Sequence, residues 1–216
     1  MDLNKTIEHT LLKPTATNEA LKKLYAEAKE HKFRGVCVNP INVKAAAEAL
    51  KGTDVKVVTV VGFPLGAMVS DAKAYEAKRA IEDGADEVDM VINIQAAKNA
   101  EWNTVTEDIK TVKAACGATT LKVILETDYL DKDEIVKACE CSIKAGAQFV
   151  KTSTGFVNGG VGAKAEDVKL MYDTVHEAGL LVKASGGIRD KAAAVAMVEA
   201  GATSLGTSSG IKIVEG

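Results

Sequence analysis

The sequence has 216 residues, of which 47% are hydrophobic and 26% charged, and its formal net charge is -3. This composition is typical of a folded globular protein and excludes a disordered tail or a fibre. The 27 basic residues are interleaved with 30 acidic ones, so no nucleic-acid-binding arm is expected. No segment approaches the roughly 18 apolar residues of a membrane span, and the first residues lack a secretory leader, which predicts a cytoplasmic protein.

Eight short segments rich in strand-forming residues predict β-strands. In chain order they are TIEHT, FRGVCVN, VKVVTVV, DEVDMVI, LKVILE, AQFVKT, LLVKAS and TSLGT. Amphipathic stretches separate them, such as AEDVKLMYDTVHEAG, whose apolar residues recur at helical spacing. We expect Ser70 and Asp190 to be helix N-caps. Six stretches end on a glycine suited to the left-handed position that closes a helix: Gly52, Gly84, Gly117, Gly146, Gly179 and Gly201.

A strand followed by a helix therefore repeats about every 30 residues, the length of a βαβ crossover, which predicts a parallel sheet. Eight such units in an uninterrupted series favour an α/β protein with a closed (β/α)8 TIM barrel. We expect a single domain over residues 1–216. A doubly wound open sheet is the alternative, although no G-x-G-x-x-G follows the first strand.

The cysteines and histidines do not have the spacing of a metal site. The four cysteines are expected to be reduced and buried. His31 and His176 fall at helix carboxyl ends, where the helix dipole favours a cation, and His9 faces away from its neighbour Glu8. No metal and no other cofactor is therefore expected.

Ionisable residues concentrate where the predicted strands end, on the face that carries the active site of such barrels. Strand alternation permits Asp89, Lys151 and Lys183 to face inward together. Lysine is a nucleophile only as the free amine, and with a pKa of about 10.4 roughly one lysine in 2,500 is neutral at pH 7. A second ammonium about 4 Å away contributes roughly 4 kcal/mol of repulsion, and burial acts in the same direction. Lys151 beside Lys183 is therefore a candidate Schiff-base nucleophile.

Small and hydroxyl residues follow the last three strands, where barrels commonly bind phosphate. The candidates are Thr154, Gly155, Gly186, Gly187, Gly206, Ser208 and Ser209. Glu8, at the first strand, and Cys37, near the mouth of the barrel, are further candidates for substrate contact. Packing is the alternative role for Cys37.

Five segments resemble the deoxyribose-phosphate aldolase family of class I aldolases: GADEVDMVIN, LKVILET, AGAQFVKTSTGF, VKASGGIRD and LGTSSG. With GVCVNP and IEHTLLKP they span nearly the whole chain in the family's order. The resemblance implies reversible cleavage of 2-deoxy-D-ribose 5-phosphate to acetaldehyde and D-glyceraldehyde 3-phosphate without a metal. It implies that Lys151 forms the Schiff base, Lys183 lowers its pKa, and Asp89 donates and accepts protons. Phosphate-binding positions are implied for Gly155, Gly187, Ser208 and Ser209.

Two features depart from the family's pattern. Glu8 stands where the family usually has aspartate, and its carboxylate extends one methylene further, a displacement that can change rates. Some members end in a tyrosine on a flexible tail that assists proton exchange, whereas this sequence ends at Gly216. Slower protonation of the enamine is the expected consequence.

Two other functions remain open on the residues alone. A phosphosugar isomerase or epimerase would use Asp89 and Glu126 for acid-base chemistry and would form no covalent adduct. A non-catalytic phosphosugar-binding barrel would bind without turnover. The expected partners are small phosphosugars and aldehydes, with no nucleic acid and no membrane, and the sequence leaves open whether the chain forms a homo-oligomer.

Overall fold

The computed structural model describes residues 2–216, and its strands form one closed parallel barrel. Each strand pairs with the next along the chain, and the eighth pairs with the first. The strands are β1 (Ile7–Leu11), β2 (Gly35–Val38), β3 (Lys56–Val61), β4 (Glu87–Val91), β5 (Thr120–Ile124), β6 (Phe149–Lys151), β7 (Leu181–Ser185) and β8 (Ala202–Thr207). The predicted (β/α)8 barrel is confirmed, and the alternative of an open doubly wound sheet is wrong.

Helices connect the strands around the outside of the barrel. They are α1 (Asn18–Glu30), α2 (Val43–Leu50), α3 (Ser70–Glu82), α4 (Ile94–Lys98), α5 (Trp102–Cys116), α6 (Lys132–Lys144), α7 (Ala165–Val175), α8 (Lys191–Glu199) and α9 (Gly210–Glu215). Short 3-10 turns occupy Leu3–Thr6, Pro40–Asn42, Thr127–Tyr129 and His176–Ala178. Among residues 2–216, no helix combines the length and hydropathy needed to cross a bilayer.

The predicted helix boundaries are confirmed at the carboxyl ends and partly at the amino ends. All six predicted glycines have positive φ angles, a backbone region that favours glycine. Asp190 caps α8, since its carboxylate accepts a hydrogen bond from the Ala193 amide at 2.9 Å. The expectation for Ser70 is wrong: Val69 occupies the cap position, and Ser70 instead donates to Asp108 at 2.8 Å. A tertiary partner has replaced the local cap.

The apolar core lies between the strands and the surrounding helices, where side chains such as Met90, Val123 and Ile109 are fully buried. The inside of this barrel differs from that of most barrels, which are filled with branched apolar side chains. Here the inward positions of several strands carry charge or hydrogen-bonding groups: Glu8, Glu87, Asp89, Lys122, Lys151, Lys183 and Ser204 are all buried. The strands thus bring charged groups into one enclosed volume.

A buried ion pair joins α3, α5 and the end of β4. Lys73 has no exposed surface, and its Nζ donates to Asp108 at 2.7 Å and to the Val91 carbonyl at 3.0 Å. Asp108 also accepts from the Asn93 amide at 3.1 Å. Because both charges are shielded from water, each depends on the other for solvation.

We predict that Asp108→Ala lowers the free energy of unfolding by about 3 kcal/mol or more, since it leaves the Lys73 ammonium buried without a counter-charge. Urea unfolding followed by circular dichroism measures the loss. Asp173→Ala is the matched control, because it breaks the exposed Lys169–Asp173 pair on α7 and should cost about 1 kcal/mol or less. Equal losses in the two variants would contradict the assignment.

Candidate active site

A cavity of about 360 Å³ opens at the carboxyl ends of the strands, between the loops that follow β6, β7 and β8 and the end of β1. This is the face on which barrel enzymes bind their substrates. Seven of the residues singled out in the sequence line it: Lys151, Thr154, Gly155, Gly186, Gly187, Gly206 and Ser208. Ser209 lines a neighbouring groove that also includes Ser208.

Asp89, Lys151 and Lys183 converge at the base of this cavity. Lys151 and Lys183 are register partners on the adjacent strands β6 and β7. The Nζ atoms of both lysines donate to the same oxygen of Asp89, Oδ2, at 2.8 Å for Lys151 and 2.6 Å for Lys183. The two nitrogens are therefore separated by no more than the sum of these distances, and the predicted proximity of the three side chains is observed.

The environments of the two lysines move their pKa values in opposite directions. Burial lowers the pKa of Lys151 most, Asp89 opposes this, and the charge of Lys183 lowers it further, so the net pKa lies below the ordinary value. Burial also lowers the pKa of Lys183, but Asp89 and Glu8 outweigh it and the net pKa is raised. Lys183 stays charged under conditions in which Lys151 loses its proton. Repulsion by Lys183 and burial both lower the pKa of Lys151, as the sequence predicts, but burial is the larger cause.

Asp89 is surrounded by cations. Burial raises its pKa, but the charges of Lys122, Lys151 and Lys183 lower it well below the ordinary range. The side chain is therefore a carboxylate in the free protein. It can accept a proton from a reacting group and return it later.

The sequence analysis missed Lys122, a third lysine inside the barrel. It is fully buried on β5, and its Nζ donates to Asp89 Oδ1 at 3.0 Å and lies 2.5 Å from Glu87 Oε2. Although burial lowers its pKa, Asp89 and Glu8 raise it above the ordinary value. Counting back from Glu126 in steps of two reaches Lys122, so strand alternation carried the signal. Lys122 lies deeper in the barrel than the strand ends from which the candidate residues came.

Glu8 and Cys37 were expected to contact substrate, but neither lines the cavity. Glu8 is fully buried and accepts hydrogen bonds from Lys183 and from Ser204 Oγ, the latter at 2.7 Å. Burial raises the pKa of Glu8, but Lys122 and Lys183 lower it to about 2. Cys37 packs against apolar side chains such as Val58, and burial raises the pKa of its thiol.

The loop after β5 supports the loop that follows β6. Glu126 adopts a left-handed conformation with φ of 59°, a strained state for a residue with a side chain. Its carboxylate accepts hydrogen bonds from the amide and the hydroxyl of Thr154, the amide at 3.0 Å. Two residues further, Asp128 accepts from the amides of Val161 and Gly162 at 3.0 and 2.9 Å. Both acidic side chains are committed to holding this loop in place.

The cavity wall requires glycine at specific places. Gly186 and Gly187 have φ angles of 88° and 76°, and a Cβ on Gly187 would lie 2.6 Å from the Val161 carbonyl. Lys13 and Arg189, which were not singled out in the sequence, add cationic side chains to the lining. Exposed backbone and positive charge together suit an anionic group. Within residues 2–216, no three His, Cys, Asp or Glu side chains are grouped as a metal site would require.

A closed barrel that buries lysines below a small cavity at its carboxyl end defines a barrel enzyme acting on small molecules. Residues 3–216 match the family model described as DeoC/LacD family aldolase. The chain belongs to this family of aldolases.

Individual relatives are similar to this chain over nearly its full length. The deoxyribose-phosphate aldolase of Brevibacillus brevis is 56% identical over 216 residues, which cover 100% of this chain and 96% of the relative. A solved aldolase, QR15, is 42% identical with a TM-score of 0.94 and coverage of 100% and 95%. The tetrameric deoxyribose phosphate aldolase of Aeropyrum pernix is 35% identical with a TM-score of 0.88 and coverage of 99% and 89%.

We predict that Lys183→Leu raises the pKa of Lys151, because it removes a neighbouring positive charge and leaves Asp89 to stabilise the Lys151 ammonium. The expected rise is about one to three pH units. It can be measured as the pH dependence of Lys151 acetylation by trace acetic anhydride, read by peptide mass spectrometry. Lys169→Leu, the same change on an exposed face of α7, is the control. A midpoint equal to that of the control would contradict the interpretation.

Proposed function

We propose that the chain is a deoxyribose-phosphate aldolase that reversibly cleaves 2-deoxy-D-ribose 5-phosphate to acetaldehyde and D-glyceraldehyde 3-phosphate. One observation carries the proposal: Lys151 lies on the cavity floor, buried beside Lys183 and hydrogen-bonded to Asp89. This environment favours a free amine at Lys151, the form that attacks a carbonyl carbon. Relatives with this activity by name support the same substrate.

In the proposed reaction, the amine of Lys151 attacks C1 of the open-chain aldehyde and forms a carbinolamine. Asp89 takes up a proton from solvent and passes it to the carbinolamine hydroxyl, so that the C1–O bond breaks, water leaves and an iminium forms. The C2–C3 bond then breaks and its electron pair moves onto the iminium, which becomes an enamine. The C3 hydroxyl gives its proton to the Asp89 carboxylate as glyceraldehyde 3-phosphate forms. Asp89 returns that proton to C2, and addition of water to the resulting iminium releases acetaldehyde and one proton and restores the amine.

Lys183 contributes in two ways to this sequence. Its charge disfavours an ammonium at Lys151 before attack. It also keeps a fixed positive charge beside Asp89, where negative charge must be stabilised as protons move. Both contributions depend on Lys183 remaining protonated, which its raised pKa supports.

The phosphate of the substrate is proposed to bind at the side of the cavity formed by the loops after β6, β7 and β8. The proposed contacts are Thr154, Gly155, Gly186, Gly187, Gly206, Ser208 and Ser209. Arg189, from the loop after β7, lines the same cavity and offers the charge that a phosphate dianion needs. Cys37 and Glu8 are proposed to act from beneath the cavity, by packing and by charge.

The geometry does not favour the isomerase alternative. That reaction needs a second acid or base, and Glu126 was the candidate. Its carboxylate is occupied by the amide and hydroxyl of Thr154. A non-catalytic barrel, in turn, has no use for a lysine whose pKa is lowered beside a carboxylate.

The proposal predicts a covalent adduct on Lys151. With acetaldehyde and sodium borohydride, reduction of the imine should add an ethyl group to the peptide that contains Lys151, and Lys151→Arg should abolish both labelling and acetaldehyde release from the phosphosugar. Lys169→Leu is the control for nonspecific modification. An active enzyme in which Lys151 remains unmodified after reduction would contradict the proposal.

We further propose that the chain forms a homo-oligomer in the cytoplasm. Its four cysteines are free and buried, which suits a reducing compartment. An apolar face beside α3 exposes Ile41, Leu65, Met68, Val69 and Tyr75. Three of these residues, Ile41, Met68 and Tyr75, line a groove of about 550 Å³, and exposed apolar surface that is grouped in this way marks an interaction site. The tetrameric relative supports a second copy of the chain as the occupant.

This face gives a prediction for solution mass. Ile41 is 89% exposed, so Ile41→Lys should leave the fold intact but place a charge in the interface and lower the mass measured by light scattering. Leu181→Lys, at an exposed apolar residue outside this face, should leave the mass unchanged. An unaltered chain that is monomeric at micromolar concentration would refute self-association.

A further inference from the structure

The inside of the barrel contains a connected set of ion pairs, which we call the barrel charge cluster. Its members are Glu8, Arg34, Glu87, Asp89, Lys122, Lys151 and Lys183. Six of the seven are buried, and Arg34 has 18% of its side chain exposed. In so enclosed a volume, the charges are screened weakly and must balance among themselves.

The charge of the cluster identifies Lys151 as the surplus cation. Three carboxylates face four cations, so the cluster is neutral only when one cation is uncharged. Burial raises the pKa values of the three carboxylates, but the surrounding cations outweigh it and the net pKa values are lowered. The pKa values of Arg34, Lys122 and Lys183 are raised. Among the four cations, only Lys151 has a lowered pKa.

Arg34 supplies the balancing charge from the end of the barrel opposite the cavity. It directly precedes β2, and one of its guanidinium nitrogens donates to Glu8 at 2.5 Å. The same nitrogen and its neighbour form a bidentate pair with Glu87, at 2.9 and 2.7 Å. The guanidinium also lies 5.6 Å from the centre of the Phe149 ring. Because arginine does not lose its proton in proteins, this charge is fixed.

We propose that Arg34 is a positioning residue for the chemistry of Lys151: by holding Glu8 and Glu87 from the far end of the barrel, its fixed charge makes Lys151 the cation that the cluster can release as a neutral amine. The inference rests on the proposed function. It adds a residue that touches neither the cavity nor Lys151.

Other titratable groups near Lys151 do not replace the fixed charge of Arg34. Those that face it or share its cavity are Glu8 on β1, Cys37 on β2, Asp89 on β4, Lys122 on β5, Glu126 after β5, Lys183 and Arg189 on or after β7, and Lys13 after β1. If the charge of Arg34 is removed, the cluster becomes net negative and binds a proton more tightly. The carboxylates bind protons weakly and Cys37 is already a thiol, so the proton goes to Lys151.

The test compares the pH dependence of acetaldehyde trapping on Lys151, with sodium cyanoborohydride as the reductant, in full-length variants. In Arg34→Gln the midpoint should move to higher pH by about one unit, so that trapping falls about tenfold below the midpoint and recovers at high pH. Arg34→Lys keeps the charge and should restore most of the original midpoint. Lys56→Gln is the matched control, since Lys56 lies 3.2 Å from Glu87 but is 48% exposed, and solvent screens its charge.

A variant that shifts the midpoint in the opposite direction distinguishes an effect of charge from structural damage. Glu87→Gln removes one carboxylate and leaves Arg34 in place, so the midpoint should move to lower pH. This variant also tests the inference if Arg34→Gln does not fold. A midpoint unchanged in either variant, or a uniform loss of trapping at every pH, overturns the role of Arg34. Absence of any Lys151 adduct in the unaltered protein would instead refute the proposed function.

Discussion

The site depends on one carboxylate oxygen shared by two lysines. Asp89 Oδ2 accepts from Lys151 and Lys183 at 2.8 and 2.6 Å, and these three residues come from β4, β6 and β7, which are not all neighbours. Only a closed barrel of this curvature brings them together inside one volume. The same contact holds Lys151 in position and, with burial, sets the balance between its charged and neutral forms.

A polar barrel interior is stable only when each buried charge has a partner of opposite sign. Moving an ion out of water costs several kcal/mol, and a partner with good geometry must repay that cost. Each carboxylate inside this barrel contacts at least two cations, and the Phe149 ring lies 5.6 Å from both the Arg34 guanidinium and Lys122 Nζ. The ordered charges that support the proposed chemistry are therefore also part of what fixes the fold.

The sequence predicted what repeats and missed what is particular to one place. The repeat of glycine-closed helices and strand-forming segments predicted the barrel, because both depend on local backbone geometry. Strand ends and strand alternation predicted Asp89, Lys151 and Lys183 for the same reason. Lys122 and Arg34 were missed because they lie a layer deeper, and Ser70 was misassigned because its partner, Asp108, is distant in sequence. Side-chain pairing across the barrel needs the register of all eight strands, which no single segment contains.

The central claim is that the barrel interior favours a neutral amine at Lys151. It is tested most directly by NMR titration of the unaltered protein labelled with 13C at lysine Cε, with the Lys151 signal assigned by its loss in Lys151→Arg. The account predicts that this signal titrates below the ordinary lysine pKa of about 10.4. A Lys151 signal that titrates at or above that value in an active preparation would contradict it.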